Sequence, residues 1–313
     1  MKTILNSILF LTVVVLFSSC SDKNEIQENE NSTVTFSLNG FNIDVTDIPS
    51  PRASAQLNEV VKELHYVVYK SSGEFVKYVL YEGEDLKKNI TDVLPKGDYI
   101  FCFIGSNLGW GYGEEHQNQY LNTSFDNASF MSDFTGLVYF NKSNLSIIGL
   151  GKDNISQSIT LNRLTGRVDL TIKDSKEIPS NVNSIAMTFR DGYIAKGFKL
   201  SSLELIKTKI SSTGGNGFER DKFLNLDTEP AIAHFYPIKS GESINGQKSA
   251  DFYIVGLNEN SESVFERKIE NFVVQQNQIT NLSGSIGSVI APDNLNLGIT
   301  TSEDWDKIIN IEY

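Results

Sequence analysis

Apolar and polar residues alternate over short runs through most of this chain, and almost nowhere does a stretch carry the 3.6-residue period of an amphipathic helix. The pattern predicts strands separated by turns. Val34-Thr35-Phe36-Ser37-Leu38 and Phe41-Asn42-Ile43-Asp44-Val45 flank Asn39-Gly40, a pair that favours a type I′ turn and so predicts a hairpin. In that register Val34, Phe36, Leu38, Phe41, Ile43 and Val45 all share one face. A second strand pair is expected at Val60 to Tyr69 and Phe75 to Tyr81, around Ser71-Ser72-Gly73, with both strands apolar on both faces and therefore central. A third is expected at Ile90 to Leu94 and Tyr99 to Ile104, around Pro95-Lys96-Gly97-Asp98. Periodicity fails from Asn107 to Asp133, which reads as a long surface excursion with a helical turn, and strand patterning resumes at Leu137.

The segment Leu161 to Ile172 places Leu164, Val168, Leu170 and Ile172 on one parity and Arg163, Arg167, Asp169 and Thr171 on the other. It reads as a strand that opens a second domain. Further strands are expected at Val182 to Phe189, Tyr193 to Leu200, Ala231 to Ile238, Phe252 to Leu257, Val264 to Val273 and Ile279 to Ile286. So many short alternating segments point to an all-β chain of β-sandwiches.

The N-terminus breaks this pattern. Ile4 to Phe17 is apolar apart from Asn6, Ser7 and Thr12, which falls short of the roughly 20 residues a membrane-crossing helix needs. Behind Lys2 and ahead of Ser18-Ser19-Cys20, it is similar to a cleavable signal ending in a bacterial lipobox, with Phe17 in place of the usual aliphatic residue. That resemblance implies cleavage before Cys20 and acylation of the cysteine. Residues 1–19 would be the signal peptide and the polar stretch 20–32 an acidic, hydrated tether. The remainder divides into an N-terminal sandwich over 33–160 and a C-terminal one over 161–313.

Composition narrows the partners. The formal charge of −12 leaves no basic footprint for nucleic acid and repels anionic headgroups. Any membrane attachment therefore falls to acyl chains on Cys20, each buried CH2 contributing ~0.8 kcal/mol. With Cys20 acylated, Cys102 has no disulfide partner, and its setting in Tyr99-Ile100-Phe101-Cys102-Phe103-Ile104 marks it as a small buried hydrophobe. His65, His116 and His234 show no metal-ligand spacing, and neither a nucleophile elbow nor a phosphate loop occurs. These absences argue for a non-enzymatic chain without cofactor or metal.

Taken in order, the Cys20 signal, the Pro51-Arg52 pair after the first strand and the hairpin Val60 to Tyr81 resemble the fimbrillin-type lipoproteins of the Bacteroidota. The turn Leu94-Pro95-Lys96-Gly97-Asp98-Tyr99, the junction Arg163-Leu164-Thr165-Gly166-Arg167 and the stretch Gln278-Ile279-Thr280-Asn281-Leu282-Ser283-Gly284 extend the likeness. The specific resemblance is to fimbrial anchor subunits related to minor-fimbrium anchoring proteins. It implies two tandem transthyretin-like β-sandwich domains, attachment to the outer membrane through Cys20, and a role as a pilus anchor or minor fimbrial subunit that binds its neighbours by strand addition.

In related stalk subunits the resemblance implies proteolysis after an arginine, here between Arg52 and Ala53, which would free both the lipid and the first strand. An anchor would keep both. The C-terminal segment, with Leu295, Leu297, Ile299, Trp305 and Ile308, reads either as a donor strand for a partner or as the closing strand of the second sandwich. A second reading comes from Trp110 and Tyr112 on a Gly-rich loop with Tyr120 nearby, aromatic faces suited to stacking on a surface glycan.

Overall fold

The structure is a computed structural model of the chain, and it describes residues 31–42, 60–107, 114–132, 136–149, 154–173, 175–210, 217–221, 230–244, 246–285 and 308–312. The first half contains β1 (Asn31–Asn42), β2 (Glu63–Lys70), β3 (Phe75–Glu82), β4 (Ile90–Pro95) and β5 (Gly97–Ser106). It continues through the helix α1 (Glu114–Leu121) to β6 (Ser129–Met131), β7 (Val138–Ile147) and β8 (Asn154–Arg163). The second half runs through β9 (Gly166–Ile172), β10 (Ser184–Arg190), β11 (Gly192–Lys199), β12 (Leu205–Ile210), β13 (Gly217–Asp221) and β14 (Ala231–Phe235). Four short or medium strands follow, β15 (Ile238–Lys239), β16 (Ser243–Ile244), β17 (Gln247–Lys248) and β18 (Asp251–Leu257). The last are β19 (Ser263–Ile269), β20 (Val273–Val274), β21 (Ile279–Gly284) and β22 (Ile308–Glu312).

Seven strands form one sheet in the order β3-β2-β5-β7-β8-β1-β4. The sheet curls back on itself. Between β7 and β8 the ladder is only two residues long, Tyr139 opposite Arg163 and Phe140 opposite Asn162. Phe36 on β1 then lies 4.8 Å from Phe101 on β5, ring to ring, although three strand spacings of a flat sheet would separate them by about 14 Å. The first core fills the space so enclosed: Val34 and Phe36 meet Tyr66, Phe101, Phe103 and Leu161.

A second core joins Val168, Leu170 and Ile172 of β9 to Phe189, Phe252 and Phe272. It lies among the sheets β13-β10-β18-β19 and β14-β9-β21-β22. A third draws on both halves: Val67, Tyr69, Cys102 and Phe140 pack with Phe130 of β6 and with Phe198 of β11. Here β6 completes a sheet whose other two strands, β11 and β12, come from the second half of the chain.

Most predicted strands are present, and the alternation on β9 is as expected, with Val168, Leu170 and Ile172 inward. The expected Asn39-Gly40 hairpin is not. β1 continues through both residues alongside β8, parallel to it, and the register slips by one residue between Leu38 and Phe41, so that Asn39-Gly40 forms a bulge. Six consecutive parallel pairings with a strand more than a hundred residues away outweigh the local turn preference. β4 and β5 are also not partners. Although adjacent in sequence, they cross from one side of the curled sheet to the other, β4 pairing with β1 and β5 with β2 and β7. β2 is central as predicted, but β3 is an edge strand whose side chains are half-buried. The segment Leu161 to Ile172 is divided, Leu161 belonging to β8 in the first sheet and Val168 to β9 in another. The excursion from Asn107 does hold a helix, but Leu121, Phe125, Ala128 and Phe130 are buried, so much of it is core and not surface.

Candidate functional site

For a chain with no catalytic motif, the informative geometry lies in strands at the start, the end and the edges of the sheets. β1 is held most firmly. Antiparallel to β4 and parallel to β8, it lies between them with Val34 and Phe36 completely buried. The Phe36 ring is surrounded by Tyr66, Phe101 and Phe103 at centroid separations of 6.1, 4.8 and 5.1 Å. Such contacts form because alternate residues of an inward-facing strand all reach the same core. Loss of this strand would leave a slot between β8 and β4 floored by aromatic rings.

The two ends of the curled sheet are pinned beside it. Lys77 of β3 pairs with Asp92 of β4 at 2.5 Å, across what would be about 29 Å in a flat seven-strand sheet. Tyr66 Oη donates to the same carboxylate at 2.9 Å. Burial, and then the Asp92 charge, push the Tyr66 phenol far above its usual range, so this hydroxyl remains a donor. The alternating pattern of β4 foreshadows none of this, because Asp92 occupies an inward position normally apolar.

At the opposite end, β22 lies parallel to β21 as the outer strand of its sheet, Ile308 opposite Ile279 and Ile311 opposite Leu282. Ile308, expected in a terminal strand, therefore begins one. Leu295, Leu297, Ile299 and Trp305 lie outside the described residues, as do Cys20, Arg52, Ala53, Trp110 and Tyr112. Tyr120 is half-buried on α1, and the rest of the aromatic loop expected to stack on a glycan lies outside the described residues.

The remaining chemical candidates are structural in their surroundings. Cys102 is buried in the third core, and burial pushes its thiol up to about 12, which leaves it protonated and unreactive at neutral pH. His65 is wholly buried, with its Nδ1 at 2.9 Å from Tyr78 Oη. Burial, with Arg163 and Arg167 nearby, lowers His234 to about 3. Among the described residues no group of three or more His, Cys, Asp or Glu could hold a metal ion. Nor is any described helix long and apolar enough to cross a membrane.

The sequence matches the family of fimbrillin-A associated anchor proteins Mfa1 and Mfa2 over residues 27–306. Several solved structures are similar. The fimbrial anchor protein Mfa2 from Porphyromonas gingivalis is 16% identical, covers 76% of this chain and 81% of its own, and has a TM-score of 0.33. A fimbrial assembly protein from Parabacteroides distasonis is 10% identical over 82% of this chain and 92% of its own, with a TM-score of 0.41. The tip fimbrial protein Mfa3 from Porphyromonas gingivalis, with a C-terminal truncation, is 12% identical over 76% and 81%, with a TM-score of 0.41. No curated protein matches the chain.

Proposed function

The chain belongs to the fimbrillin-A associated anchor proteins, a family of non-enzymatic structural proteins that associate with fimbrial subunits, and from that premise we propose that it is a lipid-anchored fimbrial anchor of the outer membrane. In this reading Cys20 is acylated, residues 1–19 are removed, and neighbouring subunits dock by strand addition. Two tandem transthyretin-like sandwiches, 33–160 and 161–313, would form the body. The first core draws on residues 34–161 and the second on 168–282, which supports two bodies, with the junction a few residues after Leu161.

The observation that carries the reading is the place of β1. It begins eleven residues after Cys20 and is buried along its inward face. Lipid and first strand therefore share one covalent segment upstream of Arg52. A cut after Arg52 would remove both together, opening the slot between β8 and β4 while releasing the chain from the membrane. An anchor must escape that cut. Strand addition supports assembly because main-chain hydrogen bonds supply affinity and alternate side chains supply selectivity. β22, at a sheet edge, is the element of this chain best placed to leave its sheet and serve as a donor.

The test is mass analysis of the mature N-terminus from cells. A chain starting at acylated Cys20 supports the anchor, whereas one starting at Ala53 assigns the protein to the polymer itself. Removal of Leu295 to Tyr313 supplies a second test. The expected product stays folded and membrane-bound but no longer associates with fimbrial subunits; loss of solubility would make the segment a core strand instead.

A further inference from the structure

β12 is the outer strand of the sheet ordered β12-β11-β6, and among the described residues no strand pairs its outer edge. Main-chain groups on that side form an open template for another strand. The register with β11 sets Lys207 opposite Ala195 and Lys209 opposite Tyr193, so all four side chains share one face of the sheet, which Leu205 also joins. A groove of about 280 Å³ opens against that face, between β11–β12 and the pair β15–β20, lined by Tyr193, Ala195, Leu205, Ile238 and Val273 among others. A smaller apolar gap shares Ala195 and Ile238 with it and reaches Phe189 and Phe235 of the second core.

The charge here runs against that of the chain. Acidic residues outnumber basic ones 39 to 27, and nearby Lys199 and Lys239 are matched by Glu204 and Glu242. Lys207 and Lys209 are exposed, and no carboxylate among the described residues pairs with either. Lysines on an edge strand discourage indiscriminate pairing. They also select an incoming strand of opposite charge.

We propose that the β12 edge is a docking site for an extended acidic segment of a neighbouring fimbrial subunit. The proposal rests on the anchor reading above and places one of its contacts. Because alternate residues of a strand share a face, the segment carries two acidic residues two positions apart, over Lys207 and Lys209. An apolar residue two positions further seats in the groove beside Leu205. Main-chain pairing with β12 supplies the rest of the binding.

The experiment is carried out in cells that make the fimbria. Deletion of the gene is expected to shed fimbriae into the medium, and cell-bound fimbriae are counted by electron microscopy and immunoblot. Complementation with Lys207→Glu/Lys209→Glu is expected to leave cell-bound fimbriae reduced at least about tenfold, since each pair changes from attraction to repulsion. Lys207→Arg/Lys209→Arg is expected to restore them, and Lys207→Gln/Lys209→Gln to give an intermediate count. Membrane abundance and melting temperature of each variant separate docking from misfolding. Shedding on deletion together with full retention by a folded charge-reversed variant overturns the β12 site and leaves the anchor reading standing. Retention on deletion overturns the anchor reading itself, and the docking site with it.

Discussion

The Asp92 carboxylate accepts hydrogen bonds from Tyr66 Oη, Lys77 Nζ and the Val93 amide, three donors from three different strands or positions around one nearly buried charge. Truncation to Ala removes the shared acceptor and leaves the buried Tyr66 hydroxyl unpaired. Since Lys77 is about one-third exposed and can turn to water, Asp92→Ala is expected to cost about 2–3 kcal/mol and not the larger penalty of a fully buried pair. Urea unfolding with an unchanged m-value would check it. His234 makes a pH argument at the same scale. Its folded value of about 3 lies below the unfolded 6.5, so between those limits the unfolded chain binds the extra proton and stability falls as pH falls. The slope approaches about 1.4 kcal/mol per pH unit. Unfolding at pH 7 and pH 4.5, compared with His234→Gln, isolates this contribution: the variant should lose clearly less stability over that interval than the parent chain.

Strands were largely legible in the sequence, because an inward face declares itself by alternation, as on β9. Pairing was not. Asn39-Gly40 carries a strong local turn signal, yet the tertiary pairing of β1 with β8 turns it into a bulge, and no local pattern reports a parallel partner. β6 went unseen because three residues are too few for a period, and its place beside β11 depends on Gly197, where a Cβ would come within 2.1 Å of the Phe130 carbonyl oxygen. Gly197→Ala should therefore push β6 away and destabilise the chain by about 1–3 kcal/mol, with the loss visible as faster amide exchange on Phe130 and Met131. The β12 edge was equally hidden, since its significance lies in an outer side that no strand pairs among the described residues. For β1 the element-scale test is Phe36→Ala. Removal of a ring packed against three others should cost about 3–5 kcal/mol, measured on a chain that begins at Ser21.

The three cores decide whether the molecule behaves as one unit or two. The first and second each lie within one half of the chain, whereas the third is built from both, with Phe198 of β11 set between Phe130 and Phe140 at 5.9 and 5.3 Å. The hydroxyl groups of Ser132 and Tyr236 meet at 2.7 Å in the same region. Buried contacts of this kind couple the unfolding of the halves, because neither can open without exposing the shared apolar surface. Coupling suits the lipid-anchored role proposed above, in which force on a docked partner would reach the lipid through the whole body. The intact chain should accordingly melt in a single calorimetric transition whose van't Hoff and calorimetric enthalpies agree. Phe198→Ala removes the central ring of the junction while leaving the first and second cores intact. It should split the melt into two transitions, whereas a single transition at a merely lower temperature would show that the halves are held together by contacts other than this core.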